Sequence, residues 1–241
     1  MAACWQLLID SPQSGAANMR IDELLLQEVE SSTLPLSIIR FYRWDAPTLS
    51  LGRNQHIDKA VNQDLCKARG IAIVHRPTGG RAVLHADELT YSIASNDRRF
   101  FRIDNVLQNY LAVSRGLQIG FKQLGIVSEL AGDRRPEAGV KGPRPQACFT
   151  SACPYELLSA NRKLVGSAQK RLKRSFLQHG SIPLRINYTA MAEALSADEQ
   201  VLKTAVISVS ESAGREISFE ELQTALQSSL KSHFGIRWGV R

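Results

Sequence analysis

The sequence predicts an α+β domain in which a mostly antiparallel or mixed sheet is flanked by helices. Three observations carry this. Short apolar, β-branched runs outnumber long helical patterns. Many of these runs are joined by turns of a few residues, which suits hairpins and does not suit a doubly wound parallel sheet. The chain has 241 residues, 44% hydrophobic and 22% charged, enough to bury a sizeable core and too ordinary for a disordered or fibrous class.

In chain order, residues 18–29 place Ile21, Leu24, Leu25 and Val29 on one helical face, with Asn18 as N-cap and Asp22 and Glu23 in the first turn. Residues 36–42 read as a strand, and a second short strand follows Pro47. Residues 58–69 predict a helix with Val61, Leu65 and Ala68 inward and Gly70 closing it. Strands follow at 71–75, 82–85 and 89–95, the first two joined by the turn Thr78-Gly79-Gly80-Arg81. Residues 103–124 form the longest helical pattern, with Val106, Tyr110, Val113, Leu117, Phe121 and Leu124 at spacings of three and four and Gly125 at its end. Residues 132–147 are rich in Pro, Gly and Arg and predict a mobile loop. Short strands are expected around Cys148-Phe149, at 155–158, 163–168 and 176–182, with Asn161-Arg162 as a turn. The remainder is helical, and Ser218 with Glu221 forms a capping box opening a helix through about His233.

The N-terminus has no basic stretch before its short apolar run, so a secretory signal is not expected. No apolar run approaches the roughly 18 residues of a membrane span. Four cysteines are too few for a disulfide scaffold of this size, and reduced thiols in a cytoplasm are the expectation. Residues 134–185 hold eleven Lys or Arg against two acids, a local charge of +9, while the rest of the chain sums to −2. Such a stretch steers an acidic protein or an anionic ligand, or is a solvated belt. Lys170, Arg171, Lys173 and Arg174 cluster without interleaved aromatics, and no nucleic-acid-binding signature is present, so nucleic acid is not an expected partner.

Three segments can carry chemistry. In the run 76–85, two adjacent glycines between strands let a ligand approach the backbone, and Arg76 and Arg81 can hold an anion; a plain hairpin turn with two solvated arginines has the same spacing. No P-loop or dinucleotide fingerprint occurs. Cys148 follows a basic loop, and positive charge nearby stabilises a thiolate; a buried inert thiol is the competing reading. Lys163 lies on a strand able to return beside Cys148, and Cys153 competes for the same role. The spacing of the two cysteines is neither a redox motif nor good zinc spacing, and no metal is expected. In the third segment, Gly166-Ser167-Ala168 and Gly180-Ser181 are small residues inside strand patterns, which leave room for a linear ligand or for close packing.

Taken together, PTLSLGR (47–53), RPTGGRAVLHADELTYS (76–92), ACF (147–149) and KLVGSAQKR through LQHGSI (163–182) resemble the biotin/lipoate protein ligase superfamily, in its cysteine-dependent octanoyltransferase branch. The likeness is co-linear over roughly residues 18–185. It implies one catalytic domain over 1–241, with a core at about 18–185 and a helical part at 186–241. It implies that Cys148 is the acyl-thioester nucleophile and that Lys163 lowers the thiol pKa and moves its proton. Arg76, Thr78, Gly79, Gly80, Arg81 and His85 would line one side of an acyl pocket. Gly166, Ser167, Ala168, His179 and Gly180 would line the other.

The implied reaction moves an octanoyl or lipoyl group from carrier-protein thioester to a lipoyl-domain lysine. No ATP and no other cofactor is needed, because a thioester donor already stores the free energy of the amide. The implied donor is an octanoyl-acyl carrier protein and the acceptor a lipoyl domain or a glycine-cleavage H protein, with the enzyme a monomer. Burying about seven CH₂ or CH₃ groups at ~0.8 kcal/mol each gives roughly 5–6 kcal/mol of gross transfer energy to select the chain.

Departures from related branches also discriminate. ATP-using lipoate ligases resemble SGGGAVYHD followed by GN, whereas Arg81 replaces the third glycine here and Glu88-Leu89-Thr90-Tyr91 follows. The biotin-ligase GRGRxGRxW pattern is absent, and Ala86 stands where many relatives have Asp. An ATP-dependent lipoate or octanoate ligase, and a non-catalytic module that binds acylated carrier protein, are the alternatives.

Overall fold

Every residue from Glu88 to Ser95 is buried, so this strand has protein on both of its faces. It is β6 of the fold, and the computed structural model describes residues 2–57, 61–133 and 156–239 around it. Strands β1 (Cys4–Ile9), β2 (Ser37–Tyr42), β10 (Gly166–Arg171), β11 (Phe176–Pro183) and β12 (Arg237–Gly239) join β6 in a six-stranded sheet, ordered β10-β11-β6-β2-β1-β12. The pairs from β10 to β2 are antiparallel, and β2-β1 and β1-β12 are parallel. The mixed, largely antiparallel sheet matches the class read from the sequence.

Alternation divides the inner residues between two faces. Ile38, Ala94 and Leu177 meet Leu25, Leu26 and Val29 of helix α1 (Gly15–Ser31). Ile39, Phe41, Tyr91 and Ile93 face the opposite way, into the core that holds Leu117 and Phe121 of α3 (Val106–Gln123) and Leu222 and Leu226 of α7 (Phe219–Phe234).

A second sheet, β4-β3-β5, combines β3 (Thr48–Leu51), β4 (Ala72–His75) and β5 (Val83–His85). Its Leu49, Leu51 and Leu84 pack with Met191 and Ala192 of α4 (Tyr188–Ala194) and Leu202 of α5 (Glu199–Ala205). The short helix α2 (Gln63–Ala68) contributes Cys66. A third sheet is formed by β7 (Glu129–Leu130), β8 (Leu157–Ser159) and β9 (Arg162–Lys163). The short helix α6 (Val209–Ala213) precedes α7.

Several local expectations are corrected. Helix α1 starts earlier, capped by Ser14, whose Oγ accepts from the Ala17 N–H. Asn18 is therefore inside the helix and fully buried, donating to the carbonyls of Gln13 and Arg43. Asp22 is not a first-turn anion. It sits on the buried face, one step round from Leu25 and Leu26, whereas Leu24 is 45% exposed. Helix α2 is shorter than expected among the described residues, and it turns Cys66 inward and Ala68 outward. Residues 103–105 precede α3, with Asn105 as its cap. The hairpin turn is Ala160-Asn161, both at positive φ, and Arg162 already belongs to β9.

The strand expected at 163–168 is two strands in two sheets. The buried pair Leu164-Val165 carries the chain from the third sheet into the six-stranded one. Cys148-Phe149 lies outside the described residues.

The capping box at Ser218 is present. Ser218 Oγ accepts from the Glu221 N–H at 3.1 Å, and the Glu221 carboxylate receives the Ser218 backbone N–H. Ser218→Ala is expected to cost about 1 kcal/mol, read as a lowered urea midpoint with an unchanged slope.

Candidate active site

The run 76–81 folds around its own arginine. Arg76 is buried, and its guanidinium donates to the carbonyls of Gly79 (3.1 and 2.8 Å), Arg81 (2.7 Å) and Ser50 (3.0 Å), and to Ser50 Oγ (3.2 Å). These bonds fix the loop's outline. Gly80 takes φ +97°, and its carbonyl oxygen lies only 1.9 Å from where a Cβ on Gly52 would stand. A side chain at 52 therefore collides with backbone that Arg76 holds in place. Gly52→Ala is expected to lower stability by at least about 1–3 kcal/mol, checked by urea titration.

Facing this loop is the edge pair β10-β11. Ser167↔Gly180 and Ala168↔His179 are opposite each other in register. A Cβ on Gly180 would lie 2.5 Å from Tyr91 Cε1 and 2.7 Å from Ser167 Oγ. Glycine there lets the Tyr91 ring reach Ser167, whose Oγ is 2.8 Å from the phenol oxygen. Gln178 Nε2 donates to the same phenol at 2.8 Å. Burial pushes the Tyr91 pKa up to about 12, so the phenol stays protonated beside Ser167.

Two carboxylate–imidazole–hydroxyl chains lie beneath the cleft. In the first, His179 Nδ1 is 3.0 Å from Asp22 Oδ2 and His179 Nε2 is 2.7 Å from Thr78 Oγ1. Asp22 also accepts from Arg40 (3.1 Å), Tyr42 (3.0 Å) and Ser92 (2.8 Å). Burial opposes the Asp22 charge, but the hydrogen bond and charge of His179, then the charge of Arg40 and the bond from Ser92, outweigh it and hold the carboxyl below its usual range. Burial lowers the His179 pKa, which keeps the imidazole neutral near pH 7.

In the second chain, His85 Nδ1 is 2.9 Å from Glu88 Oε1 and His85 Nε2 is 2.7 Å from Ser50 Oγ. Trp44 stacks on the His85 ring at 4.0 Å and 14°, and donates to Thr90 Oγ1 (2.8 Å) and Glu88 Oε1 (3.2 Å).

Lys163 closes one side. Its ammonium is 2.5 Å from Glu156 Oε1, and the two side chains are 4% and 7% exposed. Its backbone is fixed by β9 and by the Ile207 N–H, which donates to the Lys163 carbonyl at 3.0 Å.

Three comparisons bear on this geometry. Residues 14–231 match the family model described as the lipoyl protein ligase A/B catalytic domain. The chain belongs to the lipoyl protein ligase A/B catalytic-domain family.

Among curated relatives, proteins named octanoyltransferase LipM align over most of the chain. The one from Exiguobacterium sp. (strain AT1b) is 34% identical over 96% of this chain and 87% of its own. That of Carboxydothermus hydrogenoformans is 35% identical over 97% and 88%. That of Moorella thermoacetica is 41% identical over 77% and 67%. A lipoate-protein ligase A solved with bound ATP superposes with a TM-score of 0.78 at 19% identity, covering 99% of this chain and 88% of that one. The bipartite lipoate protein ligase of Thermoplasma acidophilum gives 0.78 at 17% identity, covering 99% and 87%. These two likenesses establish the fold.

Within this lipoyl ligase-type fold, one cavity gathers most of the residues singled out in the sequence. Arg76, Gly80 and His85 line one wall, and Lys163, Gly166–Ala168, His179 and Gly180 line the other. Thr78 is fully buried behind His179, Gly79 is exposed, and Arg81 is half-buried outside the lining. Arg76 is bound to its own loop and shapes the wall instead of standing as an open anion clamp. Cys148 and Cys153 lie outside the described residues. Among the described residues there is no group of three or more His, Cys, Asp or Glu able to hold a metal ion, and no helix is long and apolar enough to cross a membrane.

The expected basic patch is partly neutralised within the chain. Arg162 pairs with Glu211 at 2.6 Å, Arg185 with Asp87 at 2.5 Å, and Arg174 binds Glu30. Arg171 and Lys173 are exposed. The basic residues from 134 to 144 lie outside the described part.

The sequence reading missed Asp22, Arg40, Ser50, Trp44, Glu88 and Tyr91. A signal existed for two of them. Arg40 interrupts the apolar strand SIIRFY, and Asp22 falls on the apolar face of its helix; each is a charge that burial forces to find the other.

Proposed function

We propose that this chain is an acyltransferase that moves an octanoyl or lipoyl group from a carrier-protein thioester to the lysine of a lipoyl domain, through a thioester on Cys148. The observation that carries the reading is the set of relatives named octanoyltransferase LipM, at 33–41% identity over most of the chain. The cavity supports it: an ammonium, Lys163, lies on the wall of a cleft whose other residues include Met19, Trp44, Val83 and Ala168.

In the first step the Cys148 thiolate attacks the donor carbonyl, the carbonyl carbon–sulfur bond of the donor breaks, and the donor thiolate leaves and takes up a proton. In the second, the acceptor amine attacks the Cys148 thioester, an amide forms, and Cys148 leaves as thiolate. Lys163 favours both thiolate states by its charge and passes the proton released by the amine. Two exchanges of nearly equal energy replace one difficult transfer. No ATP enters, since the donor is already activated. The donor is an octanoyl-acyl carrier protein, and the acceptor a lipoyl domain or a glycine-cleavage H protein. Residues 1–241 work as one catalytic domain, as a monomer, in the cytoplasm, where the thiols stay reduced.

The test mixes the protein with octanoyl carrier protein and an apo lipoyl domain, with and without ATP, and follows lipoyl-domain mass. Octanoylation that is independent of ATP is expected. A strict ATP requirement would convert the reading to a ligase, and tight binding without turnover would convert it to a binding module.

A further inference from the structure

The cleft contains a second group arranged as a nucleophile. Ser50 Oγ is 2.7 Å from His85 Nε2, and His85 Nδ1 is 2.9 Å from Glu88 Oε1. Glu88 is fixed from three more sides: Ser181 Oγ donates to Oε2 at 2.6 Å, Trp44 Nε1 to Oε1 at 3.2 Å, and Thr90 Oγ1 to Oε1. Burial opposes its charge, but His85 and the bonds from Ser181 and Thr90 prevail and hold its carboxyl below the usual range. In the tautomer with the proton on Nδ1, His85 donates to Glu88 and its Nε2 is placed to accept from the Ser50 hydroxyl. The stacked Trp44 ring fixes the imidazole plane. Arg76 Nη1, 3.2 Å from Ser50 Oγ, places positive charge where an alkoxide develops. Hydroxyl, imidazole and carboxylate in this order are the parts that activate a serine. Ser50, Arg76 and His85 all line the cavity that Lys163 lines. Thr78, at the end of the parallel chain through His179, does not.

We infer that Ser50 is a second nucleophile of this cleft and gives the protein a slow thioesterase activity that does not need Cys148. The choice of octanoyl thioesters as substrate rests on the function proposed above. Ser50 Oγ attacks the thioester carbonyl while His85 Nε2 takes its proton. The carbon–sulfur bond breaks, and the thiol leaves with that proton. A water then attacks the Ser50 ester with His85 again as base, releasing octanoic acid and restoring the hydroxyl. The net reaction is thioester plus water to acid plus thiol.

The experiment uses full-length Cys148→Ala protein with octanoyl-coenzyme A, reading thiol release and intact mass. Continued thiol release is expected, with an octanoyl ester that peptide mapping places on Ser50. Adding Ser50→Ala is expected to cut release at least tenfold. Because that change removes buried hydrogen bonds, Ser50→Cys in the same background gives a second reading: its adduct is a thioester at position 50. Thiol release no faster than buffer from Cys148→Ala, an adduct mapped elsewhere, or release unaffected by Ser50→Ala overturns the inference. A wild-type protein that octanoylates a lipoyl domain while Cys148→Ala hydrolyses nothing sinks Ser50 alone. Hydrolysis by Cys148→Ala beside a wild type that transfers nothing sinks the transferase reading alone.

Discussion

Cys148→Ala is expected to lower octanoyl transfer to an apo lipoyl domain on the order of 10⁴-fold or more, measured by lipoyl-domain mass over time. Removing the sulfur removes the covalent step itself, and the slow ester proposed at Ser50 drains to water instead of reaching the acceptor amine. In the mechanism proposed above, Lys163 acts on the same thiolate. A Cys148→Ala/Lys163→Ala double variant is therefore expected to lose little more than Cys148→Ala, since residues working as one unit are not additive. Transfer that survives in Cys148→Ala and vanishes in Cys153→Ala would move the nucleophile to position 153.

The largest stability effect is expected at Arg40. Its guanidinium holds Asp22 at 3.1 Å, Asp10 at 2.6 Å and the Asn18 side chain at 2.7 Å, at a fully buried position. Arg40→Leu leaves the Asp22 carboxylate charged in the interior without its cation, a loss of about 3–5 kcal/mol by urea denaturation. An unchanged midpoint would refute the assignment.

The same network sets an acid limit. His179 is held below its usual 6.5 and Asp22 below its usual 3.8. In both cases the unfolded chain binds a proton at a pH where the folded chain does not. Stability is full above these ordinary values and falls as pH drops, first below about 6.5 through His179 and again below about 4 through Asp22. His179→Asn is expected to flatten the first decline and to shrink the second, because the bond and charge of His179 contribute most to holding the Asp22 carboxyl down.

Most strands were legible because burial on one or both faces writes itself as apolar alternation or apolar runs, as in β2, β6 and β11. The errors have physical causes. Asn18 is an acceptable cap by composition, yet Ser14 caps instead, because Asn18 is needed inside to hold Gln13, Arg43 and Arg40. The run 163–168 reads as one strand because Leu164 and Val165 are apolar, but those two side chains are buried at a crossing between sheets, which pattern alone does not distinguish from a strand. The cleft walls were legible as small residues in strands. The charges beneath them were not, because pairing across 18 and 157 residues, Asp22 with Arg40 and Asp22 with His179, leaves no local spacing to read.

The hydroxyls, phenols and imidazoles facing the cleft already answer one another: Tyr42 with Asp22, Ser50 with His85, Ser167 with Tyr91, Ser181 with Glu88. A hydrocarbon tail entering there leaves each of these pairs intact. Water resting on so contented a surface is weakly anchored, and an aliphatic guest gains by sweeping it out. A lining rich in oxygen and nitrogen can therefore behave toward fat as leucine would. Altering which tails fit is then a matter of depth and bore, since polarity has been cancelled from below.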